Sequence, residues 1–304
     1  MTDFPSFLST LRPQVDEALD RFLPAAETEP AAISEAMRYS VFAGGKRVRP
    51  ALVVLAGEAC GASLPDLLPG GAAIEMIHTF SLVHDDLPAL DDDDLRRGRP
   101  TLHKVQGEAM AVLAGDALLN QAFAVLAAEP ASASPERRLR AVRLMAEAVG
   151  VAGMIGGQVL DLENEGAVVP GGRSGRERAA QVLERIHRLK TGALIEASTR
   201  LGGIYAGAGN DRSKLLGGIG AELGLLFQIS DDILDEVGSS EQLGKTAGKD
   251  RQAAKLTYPH LFGLDGSREK ARQAADRCLA LVEKLPARRR LFRSLVAFLV
   301  HRGS

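Results

Sequence analysis

Residues 84–99, HDDLPALDDDDLRRGR, place six acidic side chains within ten positions and then three arginines within four. Like charges packed this closely repel one another, so the fold must supply counter-charge to this stretch. The chain as a whole has no excess of positive charge, because it contains 37 Lys and Arg residues and 39 Asp and Glu residues, and its formal net charge is −2. This balance gives no basic field of the kind that binds nucleic acid, so we expect any electrostatic function to come from local clusters.

The spacing of these acids indicates how they are used. Asp85 and Asp91 are six residues apart, which is roughly 240° around an ideal helix. They share a face only if the helix ends or bends between them, and Pro88 gives a reason for the bend. Mg2+ seldom takes carboxylates alone and usually completes its octahedron with substrate phosphates and waters. Arg96 and Arg97 would bind the same phosphates through their planar guanidinium groups, so the stretch predicts a site for cations and a polyphosphate.

A second acidic cluster lies in FQISDDILDE at 227–236. Asp231 and Asp235 are four residues apart, which is about 40° around a helix, so both carboxylates point the same way. An exposed helix face is one explanation of the cluster. The interleaved apolar residues Phe227, Ile233 and Leu234 instead favour a partly buried helix, where a hard divalent cation is the ordinary partner of grouped carboxylates.

The rest of the chain predicts helices almost everywhere. Apolar residues recur at spacings of three and four within 7–22, and 51–60 and 108–128 are rich in Ala and Leu, which favour helix. Clusters of Pro, Gly and Ser predict five breaks, at 24–30, 65–71, 130–135, 168–175 and 237–248. With no fixed-period repeat, we expect one all-α domain of about ten helices that spans residues 1–304.

Composition also bears on the compartment. Cys60 and Cys278 are far apart and lack metal-ligand spacing, which fits structural thiols in a reduced compartment. The N-terminus has no basic region followed by an apolar core, and no uncharged apolar run approaches the ~18 residues of a membrane span. We therefore expect a soluble, cytoplasmic protein without a membrane span.

At this point the motifs resemble those of a known family. HDDLPALDDDDLRRG resembles the first aspartate-rich motif of the short-chain trans-prenyl diphosphate synthases, and DDILD with the following LGKTAGKD resembles their second. Other segments fall in the family's order and spacing along nearly the whole chain: GGKRVRP at 44–50, EMIHTFSLVHDD at 75–86, GMIGGQVLDL at 153–162, RLKTGALIEAS at 188–198, FQISDDILD at 227–235 and KLTYP at 255–259.

The resemblance implies a fold and a reaction. The fold is the isoprenoid synthase fold, an all-α bundle of about ten main helices around a deep central cavity, usually in a homodimer. The reaction joins isopentenyl diphosphate head to tail to an allylic diphosphate, after the allylic C–O bond ionises. It needs no protein nucleophile, and the sequence offers no Ser/His/Asp or Cys/His arrangement that would supply one.

The resemblance also assigns roles to residues of this chain. Three Mg2+ ions, for which Mn2+ can substitute, would be held by Asp85, Asp86, Asp91, Asp231 and Asp235. The allylic diphosphate would be bound by Arg96, Lys190, Thr191, Gln228, Lys245 and Lys255. Isopentenyl diphosphate would be bound by Lys46, Arg49, His78 and Arg97. Catalysis would rest on Asp85, Asp91, Asp231 and Lys190, and on Thr191 and Gln228, which offer oxygen dipoles to the carbocation.

Product length is expected to depend on the residue that closes the cavity floor. Helix geometry alone points to Ser81, four residues before Asp85, whereas the family points to Phe80, five before it. A large aromatic residue at 80 and the spacing of the aspartates match bacterial-type farnesyl diphosphate synthases, so the resemblance favours a fifteen-carbon product. Geranylgeranyl or geranyl diphosphate is the alternative product.

Some features leave alternatives open. Many farnesyl synthases end in Arg-x-Lys, whereas this chain ends in His301-Arg302-Gly303-Ser304, so a role of the tail in closing the isopentenyl site is in doubt. A non-catalytic regulatory subunit would have lost an aspartate motif, and a terpene cyclase would not need the basic isopentenyl pocket. The remaining histidines are expected to be structural: His84, His103, His187, His260 and His301.

Overall fold

The computed structural model describes residues 3–166, 172–237 and 256–302. Within these ranges the chain is almost entirely helical, as predicted. The helices are α1 (Phe4–Phe22), α2 (Ala31–Val41), α3 (Val48–Ala59), α4 (Leu64–Asp85), α5 (Leu102–Gln106), α6 (Glu108–Ala128), α7 (Pro135–Val149), α8 (Met154–Glu163), α9 (Gly172–His187), a π-helix (Arg188–Gly192), α10 (Ala193–Tyr205), α11 (Asn210–Val237), α12 (Tyr258–Val282) and α13 (Arg289–Arg302). Two-residue strands β1 (Leu95–Arg96) and β2 (Arg99–Pro100) form a small antiparallel hairpin.

The centre of the bundle is α10, which packs on α3, α4 and α11, and α3 also packs on α4. The stretch ALVVLA at 51–56 is wholly buried, as its uniformly apolar composition favours. Gly202 of α10 faces α3 so closely that a Cβ there would overlap the backbone carbonyl of Val53. These buried helices form a rigid frame from which the site residues project.

Two of the predicted breaks are confirmed, and one is wrong. The chain leaves the helical state between α1 and α2 and between α6 and α7, as the clusters at 24–30 and 130–135 predict. Residues 65–71, by contrast, lie inside α4. Pro65 falls in the first turn, where its missing N–H is harmless, and Pro69, one turn later, removes one i→i−4 hydrogen bond. Gly70 packs against the ring of Tyr205, so the glycine there serves close packing.

The two later breaks are only partly described. Helix α9 begins at Gly172, so residues 172–175 of the break predicted at 168–175 are helical, and residues 167–171 lie outside the described ranges. Helix α11 ends at Val237, and residues 238–255 also lie outside them.

One helix of the described part, α6, is long and apolar enough to cross a membrane by length and composition. It packs against α2, α4 and α7, which is the ordinary environment of a core helix. Only 39% of its most apolar window is buried within the chain, so α6 leaves an apolar face exposed.

The bend expected near Pro88 is present. Helix α4 ends at Asp85, and the chain then folds back on the helix end. The backbone N–H of Asp91 donates to the carbonyl of Asp85 at 2.8 Å, and that of Asp93 donates to the carbonyl of Asp86 at 3.2 Å. The loop therefore brings Asp91 beside Asp85, which a continuous helix could not do.

Candidate functional site

A cavity of about 280 Å3 lies at the C-terminal half of α4. Its other walls come from the start of α3, the loop after α4, helix α8, the π-helix and α10. The lining residues are Arg49, His78, Phe80, Ser81, Leu82, His84, Asp85, Leu90, Met154, Ile155, Gln158, Val159, Lys190, Thr191 and Leu194. Seven of the side chains predicted from sequence thus share one cavity: Arg49, His78, Phe80, Ser81, Asp85, Lys190 and Thr191.

Asp85 is the acidic residue of α4 that lines this cavity. Burial raises its pKa to about 6, the charge of Lys190 opposes that shift, and the charge of Asp91 adds to it. Carboxylates gathered in a poorly solvated place favour a cation, and their oxygen atoms are the donors that Mg2+ prefers. The donor chemistry of Asp85 and Asp91 therefore fits a Mg2+ site.

Asp231 lies on α11 within electrostatic reach of Arg49, which lines the cavity. Its charge, together with that of Glu75, opposes the lowering of the Arg49 pKa that burial causes. Asp235 lies one turn further along α11 and is likewise half-buried. The second aspartate motif is therefore on a buried helix, as its interleaved apolar residues predict.

The other acids of the first cluster have different partners. Asp86 is buried and accepts from Arg96 Nε at 2.8 Å and from Arg96 Nη2, and Asp93 accepts from Nη2 at 3.0 Å. Asp94 pairs with Lys104 at 2.7 Å. Asp86, predicted as a metal ligand, is thus hydrogen-bonded to Arg96, which was predicted as a diphosphate ligand. Part of the counter-charge that the acidic stretch requires comes from its own neighbours.

Asp92 and Asp94 also form a small group with His103, whose potential ligand atoms lie within 4.8 Å of one another. Both carboxylates are exposed, and the ammonium group of Lys104 already neutralises Asp94. The hydroxyl of Thr101 contacts Nδ1 of His103 at 3.2 Å. A structural role of His103 accounts for these contacts.

A group of basic side chains, called here the basic wall, comes from the loop before α3, the start of α3 and the β1–β2 hairpin, and Arg49 is its member that lines the cavity. Arg97 donates to the carbonyl of Gly44, and its guanidinium group covers Gly45 so closely that a Cβ there would lie 2.5 Å from Nη1. Burial and then the charge of Arg49 lower the pKa of His78 well below its usual value, so His78 is neutral. The Nε atom of Arg49 is buried without a protein hydrogen-bond partner. A wall of this kind favours an anion.

The π-helix places Lys190 and Thr191 at the cavity. Lys190 Nζ donates to Asp161 Oδ2 of α8 at 2.6 Å. Gly157 of α8 lies directly against the backbone of Lys190, where a Cβ would overlap it. Asp161 and Gly157 both belong to GMIGGQVLDL, to which sequence reasoning gave no role. The two residues are four apart on one helix, but their partner Lys190 lies 29 residues after Asp161 and is not indicated by that spacing.

A second group surrounds Asp232, and of its members sequence reasoning gave a site role only to Gln228. Its Oδ2 accepts from the backbone N–H of Tyr258 at 2.9 Å and lies 3.7 Å from Nε2 of His187. Gln228 Nε2 lies 3.4 Å from Oδ1 of Asp232. His187 directly precedes the π-helix and packs on the ring of Tyr258. Asp232 thus joins α11, the end of α9 and the start of α12 behind the cavity.

The remaining predicted residues vary in how far they are described. Lys46 is exposed at the basic loop, and Arg96 is half-buried beside Asp86. Lys245, Lys255, Gly303 and Ser304 lie outside the described residues.

The fold and the cavity are those of an isoprenoid synthase. The chain matches, with a TM-score of 0.84 and 34% identity, the structure of an FPP/GFPP synthase from Zymomonas mobilis over 98% of both chains. It also matches a putative farnesyl-diphosphate synthase from Marinomonas sp. MED121 with a TM-score of 0.81 and 33% identity, over 99% of this chain and 100% of that one.

The chain belongs to the polyprenyl synthetase family, whose model, described as Polyprenyl synthetase, matches residues 30–291. It is 50% identical to the chloroplastic heterodimeric geranylgeranyl pyrophosphate synthase large subunit 1 of Arabidopsis thaliana, over 91% of this chain and 74% of that protein. It is 47% identical to the farnesyl diphosphate synthase of Escherichia coli, over 90% of this chain and 89% of that protein. The resemblance found in the sequence is thereby confirmed.

Proposed function

We propose that this protein is a Mg2+-dependent trans-prenyltransferase that joins isopentenyl diphosphate to dimethylallyl and geranyl diphosphate and releases mainly farnesyl diphosphate and pyrophosphate. The cavity carries this proposal, because Asp85, Lys190 and Arg49 share it with apolar side chains such as Phe80 and Met154. A cavity of this composition suits a substrate with an anionic head and a hydrocarbon tail.

The metal site is assigned to Asp85, Asp91 and Asp231, with Asp235 beside the last and Asp86 supporting the site through Arg96. The bound Mg2+, three ions by resemblance, would neutralise the charge that develops on the allylic diphosphate as its C–O bond ionises.

The chain's own cations hold the two substrates. Lys190 and Arg96, with Lys245 and Lys255 by resemblance, bind the allylic diphosphate, and Lys46, Arg49, His78 and Arg97 bind isopentenyl diphosphate. Neutral His78 can donate one hydrogen bond without adding charge. Apolar side chains keep water from the allylic cation, and the oxygen atoms of Thr191 and Gln228 stabilise it. The cation adds to the isopentenyl double bond, and the proton then lost goes to the departing pyrophosphate.

Phe80 supports a fifteen-carbon product. It is buried, lines the cavity and lies five residues before Asp85, about 7.5 Å along the helix axis. Geranylgeranyl diphosphate is the second candidate, since several relatives at 45–50% identity carry that name, and geranyl diphosphate is the third.

A homodimer is part of the proposal. Helix α6 exposes a stripe of mostly apolar or small residues at helical spacing: Ala109, Val112, Leu113, Asp116, Asn120, Ala124 and Ala127. Val112 and Leu113, two large apolar side chains next to each other on this stripe, are 40% and 57% exposed, and grouped exposed apolar residues can mark a protein interface. A second copy of this chain is the occupant we propose. Sedimentation equilibrium of Leu113→Lys should show a shift to monomer, whereas Leu139→Lys on α7 should leave the mass unchanged.

The test of function is product analysis. Purified protein with Mg2+, dimethylallyl diphosphate and isopentenyl diphosphate should consume both substrates and yield farnesyl diphosphate by liquid chromatography and mass spectrometry. A regulatory subunit would make no product. A terpene cyclase would release a hydrocarbon or alcohol without consuming isopentenyl diphosphate. Mainly twenty-carbon product would replace the farnesyl assignment and keep the reaction.

A further inference from the structure

The three basic residues of GGKRVRP face different environments. Lys46 is exposed, and Arg49 lines the cavity. Arg47 turns the other way, and only 2% of it is exposed. Its charge therefore lies inside the protein, where it must be compensated by other side chains.

Arg47 is held by three helices. Its Nη1 donates to Glu75 Oε1 of α4 at 2.8 Å, its Nε donates to Asp16 Oδ1 of α1 at 2.8 Å, and its Nη2 donates to the carbonyl of Val41 at the end of α2 at 2.9 Å. The backbone of Arg47 has φ 53° and ψ 36°, a left-handed conformation that few residues other than glycine adopt without cost. These contacts hold the strained residue in place.

This position fixes the start of α3. The carbonyl of Arg47 accepts from the N–H of Ala51 at 3.0 Å, which makes Arg47 the residue from which the helix begins. Lys46 precedes it and Arg49 follows two residues later. Movement of Arg47 would therefore displace both of the proposed ligands of isopentenyl diphosphate.

Glu75 faces more than one arginine. It is 2% exposed, and it lies one helical turn before His78 on α4. Its charge favours the protonated forms of Arg47, Arg49 and Arg97, the second and third of which form the basic wall. The single buried carboxylate of Glu75 thus partly compensates the charges of three arginines, which would otherwise repel one another.

We propose that Glu75 and Arg47 are positioning residues of the isopentenyl diphosphate pocket, and that their buried ion pair holds the loop at 44–49 in the shape that binds the diphosphate. This inference rests on the proposed function. Neither residue touches substrate in the proposal, because the Arg47 guanidinium group is turned to Glu75, Asp16 and Val41.

The first test is Glu75→Gln, which keeps the size of the side chain and removes its charge. Displacement of Lys46 and Arg49 should raise the KM for isopentenyl diphosphate by roughly 10–100-fold, the effect of misplacing binding groups by about an ångström. The KM for geranyl diphosphate should change less than threefold. Long-range electrostatics alone predicts the opposite sign, since the loss of a negative charge beside Arg49 and Arg97 would tighten anion binding.

The second test uses milder variants and a control. Asp16→Asn changes the partly exposed partner of Arg47 and should raise the same KM by a smaller factor. In an Arg47→Gln background, Glu75→Gln should add little further, because the two residues act as a unit. The control is Glu222→Gln, which neutralises another carboxylate in an ion pair: Glu222 of α11 lies 2.9 Å from Arg277 of α12. This variant should leave both KM values unchanged. Melting curves show whether each variant is folded.

The outcomes separate the two proposals. A wild-type protein that makes no prenyl product would overturn the proposed function. An active wild type whose folded Glu75→Gln and Asp16→Asn variants keep or lower the isopentenyl KM would overturn the positioning role alone. Equal increases in both KM values would also contradict it, since they would indicate general loosening of the fold.

Discussion

The basic wall and the acidic pair Asp85 and Asp91, called here the acidic wall, are built in opposite ways. In the basic wall, the chain itself holds the side chains in place: Arg97 lies over Gly44 and Gly45, and the neighbouring Arg47 is fixed by Glu75. In the acidic wall, Asp85 and Asp91 are brought together, and burial raises the pKa of Asp85 to about 6. The basic wall can therefore bind a diphosphate directly. The acidic wall must first bind a cation, and only then can it accept the other diphosphate.

The largest expected effect follows from this difference. Excess chelator should abolish turnover and binding of geranyl diphosphate while leaving binding of isopentenyl diphosphate nearly unchanged. Asp85→Asn or Asp231→Ala should lower turnover by several orders of magnitude, since about 1.4 kcal/mol of lost transition-state stabilisation is tenfold in rate. Asp92→Asn is the matched control, because Asp92 is exposed and its neutral counterpart tolerates the same left-handed backbone, φ 46°.

These effects are measured by steady-state turnover and by isothermal titration of each diphosphate with and without Mg2+. Full activity in chelator would contradict the metal requirement. Loss of isopentenyl diphosphate binding in chelator would contradict the contrast between the walls.

The next effect concerns the basic wall. Lys46→Ala or Arg49→Ala should raise the KM for isopentenyl diphosphate by about 10–100-fold, since a hydrogen bond to a charged group contributes about 1.5–3 kcal/mol. The turnover number should change less, because this diphosphate stays on its carbon and its contacts are nearly equal in ground and transition states. Initial-rate kinetics with each substrate varied in turn measure both quantities. Lys104→Ala is the control, because it removes an exposed lysine whose salt-bridge partner is Asp94. A rise in the allylic KM instead would mean that the two pockets have been exchanged.

The sequence predicts features that depend on local order along the chain. Helical periodicity placed Asp231 and Asp235 on one partly buried face, and Pro88 indicated the bend that brings Asp91 to Asp85. Both follow from neighbours within a few residues, where geometry is fixed by the helix repeat.

Other features depend on partners far along the chain. Asp161 holds Lys190 from 29 residues away, and Glu75 meets Arg47 from 28. Hydrophobic periodicity indicates which face of a helix is buried, but it does not indicate which residues of other helices contact that face. The break predicted at 65–71 failed for a related reason, since packing against α10 outweighed the local preference of proline and glycine.

A smaller effect is expected where the apolar part of the cavity is enlarged. Phe80→Ala should shift products toward twenty carbons, because each CH2 moved from water into the cavity favours the longer chain by about 0.8 kcal/mol. The diphosphate-binding residues are unchanged, so turnover should fall little. Chromatography of the products measures the shift.

Ile77→Ala is the control for lost stability, because Ile77 is buried on the same helix but is not among the residues that line the cavity. Core truncations of this kind commonly lower the free energy of unfolding by ~2–5 kcal/mol. If folded Phe80→Ala still stops at fifteen carbons, Phe80 is not the floor, and Ser81, which also lines the cavity, is the next residue to change.

The smallest effect concerns His187, which lies behind the π-helix that carries Lys190. Burial lowers the pKa of His187 to about 3, from an ordinary value near 6.5. The unfolded chain therefore binds a proton below about pH 6.5 that the folded chain does not, so the contribution of neutral His187 to stability is present above that pH and is lost as the pH falls. The slope for one such group reaches about 1.4 kcal/mol per pH unit only well below pH 6.5, so the whole change between pH 7.5 and 5.5 is about 1.4 kcal/mol. Urea unfolding between pH 7.5 and 5.5 should show a shallower decline in the free energy of unfolding for His187→Asn than for wild type. Carboxylates remote from His187 titrate alike in both proteins, so the difference in slope reports His187 together with its neighbours Asp232 and Asp161. Identical slopes would mean that the pKa of His187 is not lowered in the folded state.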